Sequence, residues 1–177
     1  MQETEITLVK DAIDGDADSF TELCRRYYPA MVAIAHSVLG DRHLAEDAAQ
    51  EAFAKAAIKL PQLKRKRKFA GWLAAICRNE AKNIVRRTND RYTLSDRLTE
   101  VGQPGLDENV ELVRLAIRKL PASAREVIFL RYYDGLSYEQ ISSVMGLSQQ
   151  AINGRLRRAK RKMAEYLRRN GFSEVGS

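Results

Sequence analysis

The sequence predicts an all-α chain, two small helical domains joined by a flexible linker, and three observations support this. Apolar residues recur at helical spacing along nearly the whole chain, and no stretch alternates apolar and polar residues as a strand would. The periodicity fades between Arg91 and about Glu108, where Gly102, Pro104 and Gly105 mark a connector. Beyond it, LSYEQISSVMGLSQQAINGRLRRAKRKM (Leu136 to Met163) carries the cap and turn signals of two helices meeting at a tight corner. The expected layout is a first domain over 1–92, a linker over 93–108, a second domain over 109–170 and a frayed tail over 171–177.

At 177 residues the chain is long enough for a real core in each half. Its net charge is +7, but the charge comes in blocks. Residues 1–60 carry 6 Lys+Arg against 11 Asp+Glu, net −5, and residues 61–91 carry 10 against 2, net +8. Residues 92–126 carry 5 against 6, net −1, and residues 127–177 carry 9 against 4, net +5. Two basic blocks imply two contacts with a polyanion, and the acidic block implies a different partner. Cys24 and Cys77 have no metal-ligand spacing and lie among apolar residues, so they read as buried free thiols in a reducing compartment. No apolar run approaches the roughly 18 residues of a membrane span, and MQETEITLVK lacks a signal-peptide layout. A cytoplasmic protein with no membrane insertion and no cofactor is the expectation.

In chain order, Ile6, Leu8, Val9, Ala12 and Ile13 form a short helix closed by Gly15. A second helix opens near Asp16 and turns Phe20, Leu23 and Cys24 inward. Pro29, which has no amide hydrogen, kinks it or starts another. Ala30 to Leu39 is apolar nearly all round and should be central core. From Arg42 to Lys59, Leu44, Ala45, Ala48, Ala49, Ala52, Phe53 and Ala56 supply a buried side, and Glu46, Asp47, Gln50 and Glu51 share the exposed one. That stripe reads as a solvated face, as a dock for a basic partner helix, or as a carboxylate metal site. The metal site wants Glu-x-x-His pairs, and the only His here, His43, precedes Glu46 in the reverse order.

Pro61 ends that helix, and Lys64, Arg65, Lys66, Arg67 and Lys68 follow as an exposed loop available to phosphates. A localisation signal or a merely solubilising loop are the alternatives. The next helix, from Phe69, places Arg78, Asn79, Lys82, Asn83 and Arg86 on one side and Ala81, Ile84 and Val85 on the other. Asparagine can bond an unstacked base edge while the cations follow a single-stranded backbone. Phe69 and Trp72 can stack on bases, but their spacing with Leu73 and Ile76 favours the core. After the linker, Val110 to Leu120 reads as a helix stopped by Pro121. Pro121 suits the first turn of a following helix that buries Val127, Ile128, Leu130 and Tyr132 and ends at Gly135.

In the final element Ser137 and Gln140 form a capping box, Gly146 makes the turn, and Ser148 caps the second helix. Ile152, Leu156, Ala159 and Met163 form its dry back. Gln149, Gln150, Asn153, Arg157, Lys160 and Arg161 form its front. Amides near the N-terminus suit base edges in a major groove, and cations further along suit phosphates. A solvated basic helical hairpin is the plainer alternative.

The stretches GDRHLAEDAAQEAF, KFAGWLAAICRNEAKNIVRR and LPASAREVIFLRYYDGLSYEQISSVMGLSQQAINGRLRRAKRKM resemble a known family, in its order and over most of residues 16–165. It is the extracytoplasmic-function (ECF) group of bacterial RNA polymerase sigma factors, the minimal two-domain members of the sigma-70 family. The resemblance implies a first domain that grips core RNA polymerase and opens the promoter −10 element, and a second that reads −35 duplex DNA. It implies that Glu46, Asp47, Gln50 and Glu51 dock on the clamp helices of the largest polymerase subunit. It places Lys64, Arg65, Lys66, Arg67 and Lys68 beside the flipped non-template base, with Arg78, Asn79, Lys82, Asn83 and Arg86 on the −10-reading helix. Asn153, Gly154, Arg157 and Arg158 match the implied −35-reading positions and Arg155 is the arginine that commonly follows them, while Ser148, Gln149 and Gln150 join this candidate set from the reading of the helix cap and front. Asn153 stands where the family often has Arg or Lys, and Gly154 where Ser is common. Family behaviour implies a separate anti-sigma partner. The alternative class is a stand-alone helix-turn-helix regulator that binds duplex DNA tightly without polymerase. An enzyme is disfavoured, since no nucleophile with a paired base, glycine-rich phosphate loop or metal cluster stands out.

Overall fold

A computed structural model of the chain describes residues 2–91 and 108–172, and every regular element among them is helical. The Gly102-Pro104-Gly105 connector and most of the expected tail lie outside the described residues.

Helix α1 (Gln2–Ile13) ends where Gly15 takes a φ of 103°, a conformation that side chains other than glycine's rarely adopt. Asp16 caps α2 (Ala17–Leu39), its Oδ2 accepting from the Ser19 amide at 2.9 Å. Pro29 does not split α2 in two: the helix runs through it, with the ring exposed and residues 30–37 buried beyond it. Of the residues expected inside, Leu23 is fully buried, whereas Phe20 and Cys24 are half-buried against the core.

Helix α3 (Arg42–Lys59) packs through methyl groups: Ala45, Ala48, Ala49, Ala52 and Ala56 are fully buried and Phe53 nearly so. Leu44, expected on this side, is 38% exposed. It stands about 100° round the helix from Ala45, at the edge of the buried stripe. Short 3₁₀ turns follow at Leu60–Gln62 and Lys66–Lys68. Helix α4 (Phe69–Arg91) then buries Phe69, Leu73, Ala74, Cys77 and Ala81. Helices α2, α3 and α4 pack on one another, with α1 laid along α2. Burial pushes the Cys77 thiol pKa up to about 12, and its Sγ donates to the Met31 carbonyl at 3.2 Å, so this cysteine is an inert core residue.

In the second half, α5 is Glu108–Arg118, slightly earlier than the periodicity predicts. Pro121 precedes α6 (Ala122–Ile128) rather than joining its first turn, and its carbonyl accepts from the Ala124 and Arg125 amides at 2.9 Å each. The chain then widens into a π-helical turn, Phe129–Tyr133, closed by Asp134 N–H donating to Phe129 O at 3.3 Å. Val127, Ile128 and Leu130 are buried as expected. Tyr132 is not, at 56% exposed. The extra residue in the wider turn changes the phase of those that follow, and Tyr132 faces outward with Lys160 Nζ 5.2 Å from its ring centre.

Helices α7 (Tyr138–Met145) and α8 (Gln149–Arg169) form the helix-turn-helix. Both bonds of the capping box are made: Gln140 N–H donates to Ser137 Oγ at 3.2 Å, and Ser137 N–H donates to Gln140 Oε1 at 2.8 Å. Gly146 has a φ of 66° and closes α7 by donating to Ser142 O at 2.9 Å. Ser148 Oγ accepts from Ala151 N–H at 3.2 Å. Ile152, Leu156 and Ala159 are buried and Met163 is half-buried, which seats α8 against α5, α6 and α7. Ser137→Ala should therefore lower stability by about 0.5–2 kcal/mol, the range for a lost N-cap. Urea unfolding followed by circular dichroism measures this, and an unchanged midpoint would count against the cap.

Candidate nucleic-acid interface and docking face

The acidic face is carried by α3, held from within by its alanines. Asp47, Gln50 and Glu51 are exposed along it. Glu46 is half-buried and accepts from Arg42 Nε at 2.9 Å, one turn earlier on the same helix. Glu51 lies 3.3 Å from Lys55, whose ammonium also reaches Glu80 of α4 at 2.5 Å. Bonded to Glu80 first and Glu51 second, Lys55 has its pKa held above the ordinary value. Asp47 and Gln50 are exposed and make no side-chain hydrogen bond or ion pair among the described residues. Among the described residues no three His, Cys, Asp or Glu side chains are placed to share a metal ion.

The first basic face joins the segment before α4 to the outer side of that helix. Lys64, Arg65, Arg67 and Lys68 are exposed and Lys66 is half-buried. The segment is not a plain loop: Lys66–Lys68 is a 3₁₀ turn in which Lys68 N–H donates to Arg65 O at 2.8 Å. Asn79, Lys82 and Arg86 are exposed with Asn83 half-buried beside them, and Arg86 donates to Asn83 Oδ1 at 2.6 Å. Arg78 lies on the same side of α4, about 40° round the helix from Lys82, and its guanidinium is engaged in a double-pronged pair with Glu126 of α6, through Nη2 at 2.6 Å and Nε at 3.1 Å. Neither aromatic candidate for base stacking is displayed. Phe69 is fully buried, edge-on to Tyr27 with centroids 5.5 Å apart, and Trp72 is half-buried beside it at 5.9 Å.

The second basic face is the front of α8. Ser148, Gln149, Gln150, Asn153, Arg157 and Arg158 are exposed, and Gly154 and Arg155 are half-buried. The Arg158 guanidinium folds back over Gly154: a Cβ built there would stand 3.4 Å from Nη1. That is ordinary van der Waals contact, and the atoms it meets are the far end of a flexible side chain, so an alanine at 154 would fit without disturbing the helix. Arg155 and Arg158 also line a cleft of about 200 Å³ with Pro121, Ser123, Ala124, Ala159 and Lys162, where three cations face the start of α6. Periodicity does not reveal this cleft, because its two walls come from helices separated in sequence.

Comparison with known proteins agrees with this geometry. Residues 23–91 match the family model "Sigma-70 region 2", and residues 111–163 match "Sigma-70, region 4". The chain is 31% identical to the ECF RNA polymerase sigma-E factor of Escherichia coli K12, covering 90% of this chain and 92% of that protein. It is 28% identical to the ECF RNA polymerase sigma factor SigW of Bacillus subtilis, covering 90% of this chain and 95% of that one. Among solved structures it is similar to CnrH in complex with the cytosolic domain of CnrY, at 27% identity and a TM-score of 0.62 over 94% of this chain and 99% of that one. It is also similar to RpoE in complex with the anti-sigma factor NepR from Bartonella quintana, at 25% identity and a TM-score of 0.54 over 86% and 98%. No helix among the described residues is long and apolar enough to cross a membrane. The two matched regions, in this order on a helical chain ending in a capped helix-turn-helix, make it a member of the sigma-70 family of RNA polymerase sigma factors, in the ECF group.

Proposed function

We propose that the three charged faces divide the work of a promoter-directing sigma factor. Asp47, Gln50 and Glu51, with Glu46 tied back to Arg42, dock on a basic helical element of core RNA polymerase. Lys64 to Lys68 with Asn79, Lys82, Asn83 and Arg86 hold and read the opened −10 strand. Gln149, Gln150, Asn153, Arg157 and Arg158 read the −35 duplex, with Ser148, Gly154 and Arg155 shaping that surface. The cytoplasm, where the chromosome is transcribed, is its place of work. An anti-sigma protein is its expected regulator, since the similar RpoE chain has been solved with one.

The observation that carries this reading is the segregation of charge: an acidic ridge on α3 and basic faces on α4 and α8 lie on different helices of one chain. A stand-alone regulator has no use for the acidic ridge. Core polymerase given the purified chain should yield start-site-specific transcripts from genomic fragments, whereas tight duplex binding with no transcript would favour the regulator. In the same assay Arg158→Ala should weaken −35-dependent binding by about 1–3 kcal/mol, and unchanged promoter choice would remove Arg158 from the reading set.

A further inference from the structure

A buried carboxylate stands behind the acidic ridge of α3. Glu80 of α4 is only 8% exposed, and it accepts from Lys55 Nζ at 2.5 Å across the junction of the two helices. Lys55 also follows Glu51 by one turn of α3, the spacing at which a lysine ordinarily pairs with the glutamate before it. Yet its ammonium stands 3.3 Å from Glu51. A charge-assisted hydrogen bond of this kind is shorter, at about 2.7–2.9 Å. The lysine is divided unequally, and the buried acid holds it more closely.

The other end of the ridge has no such acid behind it. Arg42 and Glu46 are likewise one turn apart, and Arg42 Nε donates to Glu46 at 2.9 Å. Among the described residues no second carboxylate forms an ion pair with Arg42, so the charges of this pair cancel. Glu51, Lys55 and Glu80 instead carry two negative charges against one positive, leaving a net charge of −1. That charge faces outward, because Glu80 is buried whereas the Glu51 side chain is 57% exposed.

We propose that Glu80 is a positioning residue for the docking face: by holding Lys55 against α4 it leaves the Glu51 carboxylate uncancelled on the outer side of α3, where a basic partner meets it. Glu80 itself touches no partner and acts through the lysine. The electrostatic effect belongs to the free chain. Only its consequence at core polymerase rests on the proposed docking role of α3. Without the Glu80 charge the lysine turns to Glu51, and Asp47 is left as the one unpaired acid of the ridge.

Glu80→Gln keeps the length of the side chain and removes its charge. Its affinity for core polymerase should fall about five-fold, the upper end for one exposed charge pair. The loss should shrink as salt is raised, because exposed charges are screened. Lys55→Met combined with Glu80→Gln should return the affinity to that of wild type, since nothing then cancels Glu51. If the pair were only a staple between α3 and α4, the double variant would bind as poorly as Glu80→Gln, and that result overturns the proposal. Wild-type affinity in a Glu80→Gln protein that circular dichroism shows to be folded overturns it too. Glu80→Met, neutral and of like length, takes the place of Glu80→Gln if that variant does not fold. The potential of the ridge can also be read in the free chain, from the nuclear relaxation that a cationic and an anionic nitroxide each induce at the amides of residues 47–51. The cationic probe should be attracted less in Glu80→Gln than in wild type, with the attraction restored in the double variant, and equal relaxation in all three overturns the proposal. A wild type that does not bind core polymerase removes the docking role of α3, and the nitroxide measurement alone then decides what Glu80 does.

Discussion

Asp47→Lys combined with Glu51→Lys should lower affinity for core RNA polymerase by on the order of 100- to 1000-fold, about 3–4 kcal/mol. Reversing two exposed charges replaces attraction with like-charge repulsion against a basic partner, which costs several kcal/mol at a docked surface. The fold should survive. Asp47 makes no ion pair among the described residues, and Lys55 retains Glu80 at 2.5 Å when Glu51 is replaced. The new repulsion between Lys55 and the lysine introduced one turn before it on α3 costs only a few tenths of a kcal/mol. Fluorescence anisotropy with core polymerase reads the affinity, and thermal melting by circular dichroism serves as control. Wild-type affinity in a folded double variant would mean that α3 is an ordinary solvated face.

The second large effect is on stability. Phe69→Ala removes a fully buried ring held edge-on by Tyr27 at the first turn of α4. Substitutions of this kind cost about 3–5 kcal/mol. Urea unfolding should therefore show a much lower midpoint, with DNA binding declining only in step with unfolding. A stable variant that selectively fails to hold single-stranded DNA would return Phe69 to the stacking role that its sequence context allows.

The acidic stripe and Phe69 mark what can be read from a linear sequence. The acidic stripe is legible because helical spacing alone puts Glu46, Asp47, Gln50 and Glu51 on one side of α3. The capping box at Ser137, the turn at Gly146 and the cap at Ser148 are legible because each is a bond within a few residues. Periodicity misplaces Leu44 because it gives an angle round the helix, and at the edge of a stripe the angle does not say whether a neighbour covers the side chain. It misplaces Tyr132 because the π-helical turn shifts the phase that the counting assumes. It places Arg78 on the side of Lys82 but cannot show that Arg78 is paired, because its partner, Glu126, lies 48 residues away. A lone acid directly before the apolar run Val127 to Leu130 is only a faint hint of such a partner. The roles assigned to individual side chains come from the family resemblance rather than from pattern.

The alanines under α3 set unequal limits on change. With five methyl groups at full burial on the inner side, there is no slack for a larger side chain, and valine or leucine there would wedge neighbouring helices apart. The outer side carries no comparable restriction, since Asp47, Gln50 and Glu51 are anchored by nothing beyond their own turn or the next. Such a helix can be rewritten on one side without disturbing the other, so partner preference can drift while the architecture stays put.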